Sequence, residues 1–296
     1  MKSIVKYLLI AVAFISFISC EEDLLNEEHY KKIIYLKSGD NNIFSYPHLM
    51  NDSLTTGYIT AGSGGSMPLD KDLAVTIVTD SVALEHLNSY NFRYFGSEYG
   101  KYARLLSTDR YLLPSHDAII KAGEPSATAF VPIEIDVNGL SPDTTYILPF
   151  RISDSKGYDI NTEKDFVLYK IDLENAYSSV KSRTYKMRGS KQMEGGMSSN
   201  ITTNKTVLPL AKNQIRLFPE NLSVSADLNV IRNSAIVLII HEDNSVRIKP
   251  YGNIEIEQLE DCAYDPEEKK FTINYKYRRP SDSEWTTVHE TLTRIE

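Results

Sequence analysis

Cysteine is nearly absent: 296 residues hold two, Cys20 and Cys262. Cys20 closes an N-terminal leader, and the one remaining thiol can form no disulfide within the chain, so stability rests on packing. Cys262 sits in Glu260-Asp261-Cys262-Ala263, where neighbouring acids oppose a thiolate, which argues against a nucleophile. Histidine is also scarce, six residues without HExxH or comparable spacing, so no histidine metal site is expected at His48, His241 or elsewhere. Asp40-Asn41-Asn42 and Asp261 to Glu268 are rich in oxygen but lack the glycine and the twelfth-position glutamate of a calcium loop. Positive charge is in deficit, 32 Lys+Arg against 40 Asp+Glu, which excludes a nucleic-acid partner of the usual basic kind. No local motif supplies a nucleophile with its base or a carboxylate pair on a rigid frame. Glu134 and Asp136 alternate along a strand and read as a solvated sheet face. The chain is therefore expected to have no catalytic residues, no metal and no cofactor.

Long apolar runs are confined to the first twenty residues. Lys2 and Lys6 form a positive n-region, Tyr7 to Phe17 an apolar core, and Phe17-Ile18-Ser19-Cys20 places a small residue before a cysteine. That is the pattern of a lipoprotein signal over residues 1–19, too short to span a bilayer, with Cys20 as the lipidation site. Acyl chains contribute about 0.8 kcal/mol per buried methylene, and two or more anchor a protein stably, so a membrane is the first expected partner. Loss of the leader removes two lysines and no acid, leaving 30 cations against 40 acids. Residues 20–32 then form a lipidated acidic tether with five acids and two lysines.

From Ile33 the apolar pattern has a period near two. Ile33 to Leu36, Ala74 to Val78, Phe130 to Val137, Tyr146 to Ile152 and Phe166 to Ile171 are short, β-branched or aromatic, and bounded by turn residues. Pro132 and Pro149 interrupt two of these runs and predict edge strands or bulges. Ser81 to Asn91 is the one helical pattern. After a boundary near Leu173 to Ser179, Ala235–Ile240 and Ser245–Lys249 flank a turn at Glu242-Asp243-Asn244, and Phe271, Ile273, Tyr275 and Tyr277 alternate with polar residues. A turn at Pro280 to Ser283 precedes a last strand from Trp285 to Leu292. The Gly- and Ser-rich stretches 61–66 and 189–200 read as mobile loops. The fold class is all-β: an N-terminal β-sandwich, immunoglobulin-like, over 33–174, then an antiparallel meander over 175–296. The meander either closes as a small lipocalin-like barrel or stacks as a sandwich.

Tyr35-Leu36, Leu87, Tyr90-Asn91, Tyr111, Ala122-Gly123 and Tyr146-Ile147-Leu148-Pro149-Phe150 occur in an order that resembles a domain of unknown function from Bacteroidota surface lipoproteins. The same domain precedes the catalytic barrel of some chitinase-like endo-β-N-acetylglucosaminidases. The resemblance covers residues 30–172, and residues 178–296 are similar to the β-rich domain that accompanies it. It implies a non-catalytic lipoprotein of a polysaccharide-utilisation system, on the outer membrane and cell-surface exposed, with a glycan or polysaccharide ligand and an outer-membrane transporter complex as partners. The catalytic barrel is absent, so hydrolysis does not carry over. Glu21-Glu22-Asp23 resembles the acidic signal that directs such lipoproteins to the outer leaflet. Ser53, Ser81 and Thr144, each after aspartate, fit the O-glycosylation pattern of that phylum.

Flat side chains can stack on the C–H faces of sugars, which singles out Tyr90 to Tyr99, the densest aromatic stretch. Because Tyr90 and Asn91 belong to the resembling pattern they are read as structural, leaving Tyr94, Phe95 and Tyr99 as glycan contacts. Trp285, the only tryptophan, is the fourth candidate, against the alternative of packing under the last hairpin. A competing reading is a cell-adhesion or surface-assembly protein, which would use a long unpaired edge strand or a flat apolar patch.

Overall fold

The structure, a computed structural model, describes residues 28–92, 101–124 and 127–295. The first half contains β1 (Ile33–Leu36), β2 (Ile43–Leu49), β3 (Thr55–Ser63), β4 (Leu73–Thr79), helix α1 (Ser81–Phe92), β5 (Arg104–Leu105), β6 (Tyr111–Leu112), β7 (Asp117–Ile120), β8 (Thr128–Ile135), β9 (Tyr146–Asp154), β10 (Asp159–Ile160) and β11 (Phe166–Glu174). They form two facing sheets, β10-β1-β3-β8-β6 and β2-β11-β9-β4-β7, with β5 beside β9. Alternate residues such as Val131, Ile133 and Ile135 on β8 meet Phe150, Val167 and Tyr169 from the opposite sheet in one core. The sandwich expected from the two-residue period is present. Its sheets are mixed, since β1–β10, β2–β11 and β5–β9 pair in parallel.

Of the two expectations for the proline-bearing runs, an edge or a bulge, the edge fails and a bulge is present on β9, whose register against β4 shifts between Ile152 and Asp154. Both β8 and β9 are internal, but each proline sits where a neighbour ends. β6 reaches only Glu134 and Ile135 of β8, so nothing pairs with Pro132 on that side. Pro149 falls between β4, whose pairing stops at Phe150, and β5, which pairs with Tyr146 and Ile147. A missing N–H is therefore costless at both positions. Helix α1 forms as expected. Ala83 and Leu84, with Leu87, cover Ile147 and Leu168 on the outer side of the second sheet.

The second half contains β12 (Thr184–Met193), β13 (Ser199–Thr206), β14 (Leu208–Ala211), β15 (Gln214–Leu217), helix α2 (Leu228–Ser234), β16 (Ile236–Ile240), β17 (Val246–Pro250), β18 (Glu255–Gln258), β19 (Ala263–Asp265), β20 (Lys270–Arg278) and β21 (Thr286–Arg294). Two curled antiparallel sheets result, β13-β12-β21-β20-β18 and β14-β15-β16-β17. β13 and β14 are one run of chain broken only at Val207. At the other seam Val246 N–H donates to Cys262 O at 2.8 Å and Ile248 N–H to Gln258 Oε1 at 2.9 Å. The neighbour order follows the chain and returns from β21 to β12, so the meander curls as two half-barrel sheets around one core into a lipocalin-like barrel that no continuous ladder closes at its seams.

Its interior is solid. Phe271, Ile273, Tyr275 and Tyr277 of β20 point inward, all at most 1% exposed, against Leu238, Ile215 and Tyr185. One end carries a charged network: Lys205 Nζ lies 2.6 Å from Glu290 Oε2, and Tyr275 Oη donates to Glu290 Oε1 at 2.9 Å. Burial pushes the Glu290 carboxyl up and the Lys205 ammonium down. Residues 189–200 are not a loop. They complete the β12–β13 hairpin around a turn at 194–198, and Gly189 is a strand residue because a methyl group there would overlap the His289 carbonyl oxygen. Likewise 61–63 end β3, where Gly62 leaves room for the Tyr35 ring, whose Cζ would lie 2.7 Å from an added Cβ.

Sandwich and barrel are tied directly. Asn175 Nδ2 donates to Ala211 O (2.7 Å) and Gln214 O (2.9 Å), while its Oδ1 accepts from the N–H groups of Tyr177 and Ser178. Arg216 of β15, 1% exposed, makes a two-pronged pair with Asp143 of the sandwich, Nη2 to Oδ1 at 2.6 Å, and lies over the Tyr251 ring at 5.1 Å.

Candidate functional site

Trp285 immediately precedes β21 and shares that strand's outward phase with Thr287, His289, Thr291 and Thr293. The β20–β21 register sets Lys276 opposite Thr287, which brings Lys276 and Arg278 to the indole. Lys276 Nζ lies 5.1 Å and the Arg278 guanidinium 5.2 Å from the ring centroid, contacts worth about 0.5–1 kcal/mol each at an exposed site. Both cations are themselves held: Lys276 pairs with Glu257 at 2.8 Å and Arg278 with both oxygens of Glu255. The neighbouring turn is clamped to the tryptophan by Glu194 N–H donating to Trp285 O at 2.9 Å. The result is a half-exposed ring on a shallow ledge of about 190 Å³, bordered by Gln192, Met193, Glu194, Lys276 and Thr287. An immobilised apolar ring surrounded by amide, hydroxyl, ammonium and carboxylate groups can stack on a sugar face and hydrogen-bond its hydroxyls. The tryptophan does not pack beneath the last hairpin.

The other predicted residues are not gathered around it. Cys20, Tyr94, Phe95 and Tyr99 lie outside the described residues. Tyr90, read as structural from its pattern, stands 80% exposed at the end of α1, because the covering face of that helix is Ala83, Leu84 and Leu87. Ser53 is exposed in a turn, its Oγ 3.2 Å from Asn51 Oδ1. Ser81 is exposed at the start of α1, where Asp80 accepts from Val82 N–H. Thr144 is half-buried and faces a cavity of about 260 Å³ between the domains, beside Arg104, Arg232 and Tyr251.

Two groups escaped the reading of the sequence. Gln192, Lys276 and Arg278 complete the ledge, and only the cross-strand register reveals them. Tyr58 and Phe130 form an edge-to-face pair, centroids 6.0 Å apart, on the outer face of the sandwich, with Phe130 61% exposed. Their signal was present: on β8 the apolar inward phase is Ala129, Val131, Ile133 and Ile135, so Phe130 must face out. Elsewhere polarity is buried. His48 is held between Thr55 Oγ1 and Tyr169 Oη, each at 2.8 Å, and burial lowers its pKa to about 4, with Asp172 opposing weakly. Burial, helped by Asp261 and Glu260, raises the Cys262 thiol, an inert arrangement. Among the described residues no group of three His, Cys, Asp or Glu side chains is placed to hold a metal ion.

Two family models match in tandem, one described as an N-terminal domain over residues 30–159 and one as a C-terminal domain over residues 165–293. Each model covers just under half of the chain, and together they account for both domains. The same two-domain architecture occurs in solved structures. A Bacteroides ovatus protein of unknown function superposes with a TM-score of 0.66 at 19% identity, covering 89% of this chain and 95% of its own. A multidomain protein from the same organism that includes a domain of unknown function gives 0.66 at 18%, covering 88% and 95%. An auxiliary nutrient binding protein from Bacteroides thetaiotaomicron gives 0.58 at 14%, covering 86% and 92%. These likenesses establish the fold. No curated protein matches the chain.

Proposed function

We propose that this protein is a non-catalytic glycan-binding lipoprotein, held at the outer-membrane surface by acyl chains on Cys20, that captures polysaccharide through the Trp285 ledge beside a transporter complex. The observation that carries the reading is the half-exposed indole fixed between two cations and bordered by hydrogen-bonding side chains. A protein of the same fold is described as binding nutrients, which supports the reading without fixing the ligand. Shallow sites of this kind are weak singly and gain from many tethered copies on one surface.

The adhesion alternative draws less support. Strands β6, β7 and β10 at the sheet edges of the sandwich have two to four residues, and β2, the longer edge, contains Pro47. Short edges and edge prolines oppose strand addition by another protein. A glycan array with the protein and with Trp285→Ala, Tyr94→Ala and Tyr99→Ala variants, each checked for folding, tests the proposal. Binding to one glycan class that a folded Trp285→Ala variant loses supports it; silence across a broad array overturns it.

A further inference from the structure

Strands β13, β12, β21 and β20 lie side by side, and their outward positions share one surface with Trp285 at its end. In a chain with 40 acids, none of these outward positions carries a carboxylate. They hold threonine, serine, asparagine and glutamine, His289, and five cations: Lys186, Arg188, Lys270, Lys276 and Arg278. The two cations nearest Trp285 have glutamate partners at the rim. At the far end Lys270 has such a partner in Glu268, but among the described residues Lys186 and Arg188 do not. Lys186 and Lys270 both stand opposite Thr293, one on each side, so their backbones are about 10 Å apart across a threonine strand. Arg188 stands opposite Thr291 in the next outward row. These side chains and Arg294 line a groove of about 550 Å³ in which Glu268, the one acid among the described lining residues, pairs with Lys270. Among the described residues neither Lys186 nor Arg188 has a carboxylate within ion-pair distance, and the Arg294 guanidinium is fixed by neutral oxygens alone, from Ser182 (2.8 Å), Ala176 (2.9 Å) and Ser179 (3.1 Å).

We infer that this face is a binding surface for an acidic polysaccharide, one bearing carboxylate or sulfate groups, which lies along β21 with a sugar on Trp285 and its anions in the Lys186–Arg188–Arg294 groove. The inference rests on the glycan reading above and names its ligand class. From Trp285 to Thr293 the strand spans about 27 Å, long enough for an extended chain of several sugars. The hydroxyl and amide floor between the two ends matches a polyhydroxylated ligand. Among the described residues the groove has no aromatic side chain on which a nucleic-acid base could stack, and their one apolar member is Ile295, too little for a lipid. Uncompensated cations on a protein of net negative charge also focus the local field toward an anion.

The test uses the full chain in neutral detergent micelles, titrated with polygalacturonate, chondroitin sulfate and neutral dextran, with phosphatidylglycerol vesicles and single-stranded DNA as competing anion sources. The acidic polymers are expected to bind about tenfold more tightly than dextran at low salt and to lose that advantage as NaCl rises toward about 0.5 M. The charge-reversed pair Lys186→Glu/Arg188→Glu abolishes the preference; the milder Lys186→Gln/Arg188→Gln, at the same exposed positions, serves as a second variant should the first fail to fold. Trp285→Ala weakens every glycan alike and leaves the acidic preference. Equal binding of dextran and the acidic polymers, or a preference that survives both pairs of substitutions, overturns the inference while leaving the ledge reading intact. Acidic binding indifferent to Trp285→Ala removes the ledge and keeps the groove. Vesicles or DNA bound as well as the acidic polymers overturn the ligand class.

Discussion

Replacing Asp143 with alanine strands a guanidinium. Arg216 belongs to the barrel and is 1% exposed, both of its terminal nitrogens spent on Asp143 of the sandwich. Breaking a buried pair by removing one partner costs about 3–5 kcal/mol, because the survivor is left charged and dry. Contact with the Tyr251 ring offsets part of this, so a loss of about 3 kcal/mol is expected for Asp143→Ala. With a urea slope near 2–3 kcal/mol per molar for a domain of this size, the midpoint should fall by about 1 M. Trp285, the sole tryptophan, lies in the barrel, so its fluorescence reports barrel unfolding in response to a change made in the sandwich. Arg216→Met should cost less than Asp143→Ala, since the side chain of Asp143 retains 11% exposure to water. The double variant should be no worse than Asp143→Ala alone. A barrel midpoint that does not move in Asp143→Ala, or an Arg216→Met variant less stable than it, would refute the reasoning.

Acid should destabilise the sandwich through His48. Its folded pKa near 4 lies below the ordinary 6.5, so the unfolded chain binds the proton first, and up to about 3 kcal/mol of stability present above pH 6.5 is lost as pH falls to 4. A His48→Gln variant should show a flatter stability profile over that window in denaturant titrations at each pH. Gly189→Ala should lower barrel stability by about 1–3 kcal/mol, because the methyl group meets the His289 backbone, and thermal melting will show it. Cys262 should resist iodoacetamide at pH 8 in the native protein and react once denatured, which mass spectrometry resolves; rapid native alkylation would contradict its burial.

Local patterns carried most of the fold. The inward series Phe271, Ile273, Tyr275, Tyr277 and the hairpin at Glu242 to Asn244 were legible because alternation and turn chemistry are short-range properties. Barrel closure was not, since it depends on β21 meeting β12 about a hundred residues away. Gly189 looked like a loop residue for the same reason: the backbone that requires a glycine there comes from His289. Lys205 and Glu290 carry no sign of burial in themselves, and only the phase of their neighbours Ile201 and Leu292 places them inside. Trp285 could be named from sequence, but its exposure and its cationic neighbours follow from register. The unpaired cations of the outer face were hidden by a net charge of the opposite sign.

The solid interior of the barrel has a consequence for how such a protein acquires new ligands. A hollow barrel shapes its ligand with the same side chains that hold it together, so every change of taste disturbs the core. Here Tyr275, Phe271 and the Lys205–Glu290 pair fill the lumen, and on the proposed function recognition is left to the opposite side of the same strands. Along β21 the letters alternate between two readers, one structural and one chemical. Changes at the outward letters fall among surface substitutions that move stability by only about 0.5 kcal/mol. The wall can be rewritten for another ligand while the fold reads on unchanged.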